Sequence, residues 1–538
     1  MRDDIVCERV VYPEDGQPLR SLESNRPLTD FSIVCISVSF EHDFPRLAGM
    51  LAAGGIEPMA AGRSPAIGAG APLVILGGVA VFMNPEPVAP FADCMVIGEA
   101  EPVIPELFDR ITSGLADSTS RRELLARLAA DVKGCYVPVL YTVTYDGEGR
   151  VEQVVAAPGA PARVRKVVQH DVTCAAHSMQ MSPLAELGMY MTELGRGCSR
   201  ACRFCAAGFI YRPPRLWEAE AILAAIDQRP DHVRRVGLLG MEMADGKTLD
   251  QIAARLQEEQ CALSFSSLRA DRISPQLVDL LSNSGLKSVA IAPDGASERL
   301  RRVINKGLSE QDLLSAAAAL VRAGIVHLKL YVMIGLPTET DEDLDELAAM
   351  LGRLREVVLP IARKQGRMPE ILLSVNSFVP KPWTPFQYLS YGGLSAQEAG
   401  ADTDATLAVL ALKHKIKYLR RMLKPLANVR LKVDRPERVL EQAVFSRGDR
   451  RLAGVLLDIG TGRHSFKQAM KAHGLRSWEY AVRPRDPGEQ MCWDILDHGI
   501  TDGYLYAELK RALQEKVTMP CDTSRCKRCG VCNDPVAT

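Results

Sequence analysis

The 538-residue sequence has no apolar run near the ~18 residues that a membrane-crossing helix needs, so no such helix is expected. Its start, MRDDIVCERVVYPEDG, is acidic and lacks an apolar signal core, so a cytoplasmic location is expected. An excess of either charge is missing too. With 65 Lys and Arg against 66 Asp and Glu, the formal net charge is -1, and no global field draws the chain to nucleic acid or anionic lipid. Internal repeats and low-complexity tracts are also absent. What remains is an ordinary globular composition, 47% hydrophobic and 24% charged, on a chain long enough for two to four domains. Fourteen cysteines in a reducing compartment point to metal or redox chemistry rather than a disulfide framework.

Charge is uneven only locally. KHKIKYLRRMLKPLANVRLK (413–432) carries eight Lys and Arg and no acid. It reads as a helix with a solvated basic face and Leu, Ile and Tyr turned inward, the alternative being a face for RNA or another polyanion.

Two alternations of strand and helix signals organise the chain. FSIVCISVSF, APLVILGG and ADCMVIG are apolar, β-branched strand runs; PRLAGMLAAGG and EPVIPELFDRITSG are helices stopped by glycine. This is the rhythm of a doubly wound parallel sheet, whose ligands sit beyond the strand C-termini, so Gly77, Gly78 and Gly98 mark candidate ligand loops. A hairpin around Asp146-Gly147 and a Pro/Ala-rich linker (156–163) follow. From about residue 187 a longer series begins. Its strands are VRRVGLLG, ALSFSSLRA, KSVAIAPDG, VHLKLYVMIGL and ILLSVNSFV, with helices between, one of them opened by Ser309 and Asp312. Repeated βα units of this length suggest a full or partial β/α barrel, with its active site at the strand C-termini near Gly240, Glu242, Ser267, Arg269, Asp294, Gly335 and Asn376. Three domains are expected: 1–180, doubly wound with the hairpin; 185–400, the barrel; and 401–538, a small α/β extension ending in a cysteine cluster.

The sharpest absence is a fourth cysteine in RGCSRACRFCAAG, where Cys198, Cys202 and Cys205 crowd one glycine-flanked loop. Four thiols would close a structural zinc or ordinary iron-sulfur site. Three can hold three irons of a [4Fe-4S] cube and leave the fourth open for substrate chemistry. Arg196, Arg200 and Arg203 are expected to offset the thiolate charge. The other readings are a three-cysteine zinc site completed by a distant histidine, or buried free thiols. The tail supplies the contrast. Cys521, Cys526, Cys529 and Cys532 have the fourth thiol and ferredoxin-like spacing, with Lys527 and Arg528 beside them, so a second [4Fe-4S] cluster or a structural zinc is expected there.

Cys-x3-Cys-x2-Cys on the loop after the first strand of a β/α barrel resembles the radical S-adenosylmethionine (SAM) superfamily, with Phe204 in the usual aromatic slot. The resemblance implies that SAM chelates the open iron and is cleaved on one-electron reduction to a 5'-deoxyadenosyl radical. It further implies roles by position. Gly240-Met241-Glu242 resembles the Gly-Gly-Glu segment that meets the methionyl amine, with Met in place of the second glycine. Ser267 and Arg269 resemble the strand-end contacts to ribose and carboxylate, and MIGLPTET, with Gly335, resembles the strand backing adenine.

The N-terminal series FSIVCISVSF, LVILGG, NPEP and DCMVIGEAE resembles the cobalamin-binding-type domain fused to many radical SAM enzymes, which implies cobalamin at Gly77, Gly78 and Gly98. The Asp-x-His-x-x-Gly signature of a lower axial histidine is missing, since none of the nine histidines has an aspartate two residues before it. Cobalamin bound without that histidine, and a degenerate domain that keeps only the fold, both remain open. With SRGDRR, CWDILDHGI and the tail, nearly the whole chain resembles an uncharacterised group of cobalamin-domain radical SAM proteins. The expected activity is cobalamin-dependent methyl transfer to an unactivated centre. Its alternatives are a methylthiotransfer-like or rearrangement reaction without cobalamin, on RNA or a ribosomal substrate, and a non-catalytic iron-sulfur electron carrier or scaffold. A low-potential electron donor and an unidentified substrate are the implied partners.

Overall fold

The continuous β-branched runs become strands because a parallel sheet buries side chains on both of its faces. In the computed structural model, which describes residues 4–12, 17–182, 188–265, 267–401 and 404–533, the first three runs form β1 (Ile33–Ser37), β2 (Leu73–Gly77) and β3 (Cys94–Val96). These pair in parallel, and β4 (Cys135–Tyr136) closes the edge antiparallel to β3. The strand order is β1-β2-β3-β4. Helices Ile104–Ala116 and Arg121–Asp131 bury Leu107, Ile111, Leu124 and Leu128 against Leu73 and Ile75, each such side chain contributing roughly 1.5–3 kcal/mol. The second helix starts on a Ser120–Glu123 capping box. Buried Asp93 ties the layers together, accepting from Arg63 at 2.9 Å, Arg121 at 2.8 Å and the Val74 N–H at 2.7 Å.

The chain divides into two compact units, Met1–Gln169 with Leu440–Ile500, and His170–Val439 with Thr501–Thr538. The region expected as a third domain is therefore split between them. Residues 440–500 join the first unit because helix Ala453–Gly460 packs on helix Asp43–Ala53 through facing glycines: a Cβ on Gly49 would collide with Gly460 O, and one on Gly460 with Pro45 O. The first unit also holds the expected hairpin, β5 (Tyr141–Tyr145) and β6 (Val151–Ala156), whose turn is fixed by Asp146 accepting from the Glu148 and Arg150 N–H groups at 2.9 and 2.8 Å. Beyond it, β7 (Val164–Arg165) pairs with the short strand Leu496–Asp497.

The second unit is the barrel. Strands β8 (Tyr190–Glu193), β9 (Arg235–Leu239) and β10 (Ala262–Phe265) are parallel neighbours. So are β11 (Ser288–Asp294), β12 (His327–Ile334), β13 (Glu370–Ser377) and β14 (Val429–Val433). A parallel bridge from Leu268 to Ile291 joins the two sets, making a partial β/α barrel in sequence order. Helices Glu310–Arg322 and Asp341–Gln365 open on capping boxes at Ser309–Asp312 and Thr340–Asp343, as the first of these sequences predicts. The basic stretch is one helix, Thr406–Leu423, burying Leu412, Ile416 and Leu419, followed by β14; the sequence expectation of a single helix missed that strand. The expected start of this series near residue 187 lies outside the described residues, as does Ser266. No helix among the described residues is long and apolar enough to cross a membrane.

Candidate functional site

β8 ends at Glu193, and glycines turn the chain into the cysteine loop. At Gly197, with φ of +80°, a Cβ would lie 2.6 Å from Tyr211 O and 2.8 Å from Pro214 Cα, so only glycine permits this approach. The loop turns again where the Cys205 N–H donates to Cys202 O at 3.1 Å, and it runs into the short helix Ala207–Ile210. Ala201 is held at a left-handed φ of 56° by the Asn305 amide, which donates to Arg200 O at 3.0 Å and Ala201 O at 3.3 Å.

The loop borders a cavity of about 730 Å³ at the C-terminal ends of β9 and β10, lined by Cys198, Gly240, Met241, Glu242, Ser267 and Arg269 among others. The structure thus gathers residues that the sequence singled out from three separate segments. Gly240 is needed there, because a Cβ would lie 2.9 Å from Glu242 O. Glu242 reaches back to the loop, accepting from the Ser199 N–H at 3.0 Å and the Ser199 hydroxyl at 2.6 Å. Arg269 donates to Asp271 at 3.0 Å and to Lys306 O at 2.8 Å, which fixes its guanidinium at the cavity wall. Lys306 pairs with Asp294 at 2.5 Å, both nearly buried.

Burial is the main force on the three thiols. It raises Cys198, Cys202 and Cys205, the last being pushed up to about 12 with help from its two cysteine neighbours. Cations act against it: Lys306, Arg269 and Arg200 all favour the Cys202 thiolate, and Lys306 favours that of Cys205. Three thiols in mutual electrostatic reach, facing three cations, are a donor set suited to an anionic iron-sulfur cluster. Among the described residues, no three or more His, Cys, Asp or Glu side chains converge as they would on a single metal ion.

Of the three arginines expected near the thiolates, only Arg200 is there. Arg196 pairs with Glu193 at 2.9 Å and lies over the Trp217 ring. Arg203 is fully buried and turned away, donating to Val303 O at 2.9 Å, Lys516 O at 2.7 Å and Glu508 at 3.2 Å. The sequence could not separate them, since three arginines on one loop look alike until the tertiary partners are known. Lys306, which sequence reading missed, takes the vacated role from a distant segment. Phe204 is half-buried and off the cavity wall. Gly335, also off that wall, has φ of +76°, and its missing Cβ makes room for Leu412 of the basic helix.

The tail is strapped onto the same loop. The Cys521 N–H donates to Ser199 O at 2.7 Å, and the Asn305 side chain accepts from the Thr518 N–H at 2.8 Å while donating to Thr518 O at 3.1 Å. Cys529 and Cys532 are buried. Burial pushes the Cys521 thiol up to about 11, aided by Cys526. At Cys526 burial acts upward too, but Arg528, whose Nε lies 3.4 Å from the sulfur, outweighs it and lowers the thiol. Lys527 turns to Cys532 O at 3.0 Å. A further cation that sequence reading missed, buried Arg212, donates to Gly208 O just after the loop at 3.0 Å and lies against Cys529.

In the first unit, the three glycines expected at a cobalamin loop have mostly internal reasons. At Gly78, with φ of +97°, a Cβ would lie 2.5 Å from Val38 O; at Gly98, with φ of +118°, it would collide with Val167. Gly77 alone borders open space. His498, fully buried edge-on to Phe82, is held neutral by burial and then by Lys166. The close contacts of Gly78 and Gly98 are packing reasons for glycine inside the unit, and Gly77 is left beside open space.

Two family models match the chain: "Radical SAM proteins, N-terminal" over residues 1–138, and "Radical SAM superfamily" over residues 192–351. An uncharacterized protein of Methanocaldococcus jannaschii is 28% identical over 87% of this chain and 88% of its own length. An uncharacterized methyltransferase of Pyrococcus horikoshii is 23% identical over 51% of this chain and 56% of its own. Among solved structures, the radical SAM methyltransferase TsrM from Kitasatospora setae superposes on 82% of this chain and 87% of that one, at 12% identity and a TM-score of 0.49. The chain carries radical SAM domains.

Proposed function

We propose that this radical SAM chain reductively cleaves SAM at a [4Fe-4S] cluster held by Cys198, Cys202 and Cys205, and uses that chemistry for methyl transfer to an unactivated centre. The observation that carries the proposal is the joining of the three-thiol loop to one cavity through Cys198. When bound, the cluster and SAM together supply a 5'-deoxyadenosyl radical. The chain's own residues bind and orient. Glu242 takes the methionyl amine while pinning the loop through Ser199; Arg269 takes the carboxylate; Ser267 takes the ribose. At about 730 Å³ the cavity falls within the roughly 300–1,000 Å³ range of small-molecule sites.

The tail thiols, with Arg528 and Arg212 beside them, are suited to a closed second cluster, fed with the first by a low-potential donor. Methyl transfer is the reaction that the name of the Pyrococcus relative, a methyltransferase, supports. Cobalamin is the second cofactor that this reaction implies. The test is anaerobic reconstitution with and without added cobalamin, scoring S-adenosylhomocysteine and protein-bound cobalt. Cobalt retention with S-adenosylhomocysteine formed only in its presence is expected. S-adenosylhomocysteine formed equally without cobalt rejects the cobalamin branch, and none under either condition rejects methyl transfer.

A further inference from the structure

The motif SRGDRR (446–451) plays no part at the SAM cavity, yet in the first unit it helps to build a buried cluster of guanidiniums. A small cavity of about 20 Å³ is lined there by Arg447, Arg451, Tyr480, Arg483, Arg485 and Cys492 among others. Two of the arginines are matched to carboxylates: Arg451 to Asp449 at 2.6 Å, and Arg483 to Glu489 through two bonds of 2.7 and 2.5 Å. The outer acids are engaged elsewhere, Glu148 with Arg150 and Glu479 with Arg476. The inner wall therefore sets the guanidiniums of Arg451, Arg483 and Arg485 against the two carboxylates of Asp449 and Glu489.

Arg485 makes poor use of its donors. Its side chain is 7% exposed, and it reaches Glu489, already taken by Arg483, at 3.3 Å, Arg447 O at 3.4 Å and Tyr480 O at 3.5 Å. Its Nε–H has no acceptor, and neither has the hydroxyl of Tyr480, which is 3% exposed. Two buried donors on one cavity wall call for an acceptor. Water would accept from both but bring no charge, whereas adjacent buried guanidiniums need a counter-charge. Guanidinium does not deprotonate in proteins, so the deficit is not relieved by losing a proton. About 20 Å³ holds little more than one water-sized sphere, for which roughly 10–15 Å³ is the minimum.

We propose that this cavity binds one small anion, a halide or a single projecting oxygen of a carboxylate or phosphate, between Arg485 and Tyr480. The electrostatics agree: burial, then the neighbouring guanidiniums of Arg485 and Arg483, press the Arg447 charge well down, and burial and Arg483 do the same to Arg485. The site is independent of SAM cleavage.

Its test uses the full chain in two ways. Crystals grown in sodium bromide, measured at the bromine edge, should show an anomalous peak beside Arg485 Nε and Tyr480 Oη. In solution, bromide, acetate and phosphate are titrated in exchange for one another at constant ionic strength. At least one should raise the thermal midpoint saturably, as a ligand of the folded state does. Arg485→Gln should abolish the rise. Tyr480→Phe, which removes one oxygen and keeps the packing, should shift half-saturation at least threefold. A rise with bromide alone assigns a halide, and one with acetate or phosphate assigns an oxyanion oxygen. A midpoint indifferent to all three anions, or a response unchanged in both variants, would mean ordered water only and would overturn the proposal.

Discussion

The cysteine loop and the cysteine tail lie against each other in the second unit, joined by the Cys521–Ser199 bond, and yet their surroundings differ in kind. The loop has three thiols, a cavity at Cys198, one cation of its own, Arg200, and two that arrive from other segments, Arg269 and Lys306. The tail has four thiols, and its cations, Arg528 and Arg212, stand directly against sulfur. The loop, one thiol short of the tail's four, borders space for a small molecule through Cys198. A chain that holds an open and a closed metal site side by side would need this division, one site for chemistry and one for structure or electron transfer.

Removing a loop thiol should break the comparison most severely. Cys198→Ala should cut 5'-deoxyadenosine formation by more than about 100-fold, beyond the 10–100-fold that losing an outer partner of a metal site costs. Removing a tail thiol should sharpen it: in Cys532→Ala, iron per chain should fall from about eight to about four while some 5'-deoxyadenosine formation survives, as expected if each site holds a separate [4Fe-4S] cluster. Equal loss of activity in both variants would erase the division of labour. The strap between the sites is tested by Arg203→Met, which leaves buried Glu508 with only the longer Arg511 ion pair and the Thr518 hydroxyl and should cost about 3 kcal/mol, read as a lowered unfolding midpoint of the second unit. The smallest effect belongs to Glu242→Gln, expected to weaken SAM binding about tenfold in equilibrium dialysis, near the loss of one charge-assisted hydrogen bond. An unchanged affinity would reduce Glu242 to a tether for Ser199.

Much of this was legible in the sequence, and the physical reason is locality. β-branched runs announced β1, β2, β3 and β9 to β13, and the cavity residues Glu242, Ser267 and Arg269 were found because barrel strand ends face one side. β14 stayed hidden because its side chains alternate between half-buried and exposed inside a stretch whose lysines and arginines suggested one long basic helix. The contacts that sort the cations were not legible. Arg203 meets Glu508 across 305 positions, and Asn305 holds Ala201 across 104, so neither partner could be named from spacing. The split of residues 401–538 was equally invisible, since it turns on two glycines, Gly49 and Gly460, that matter only because they face each other.

The central claim is that the three-thiol loop makes a SAM-cleaving centre. The direct measurement is 5'-deoxyadenosine released from SAM by the anaerobically reconstituted chain after dithionite reduction, with the loop cluster verified by electron paramagnetic resonance in the Cys532→Ala background. 5'-Deoxyadenosine should form, and its formation should disappear when Cys198→Ala is added. A reduced, intact loop cluster that yields none would contradict it and leave the chain an iron-sulfur carrier.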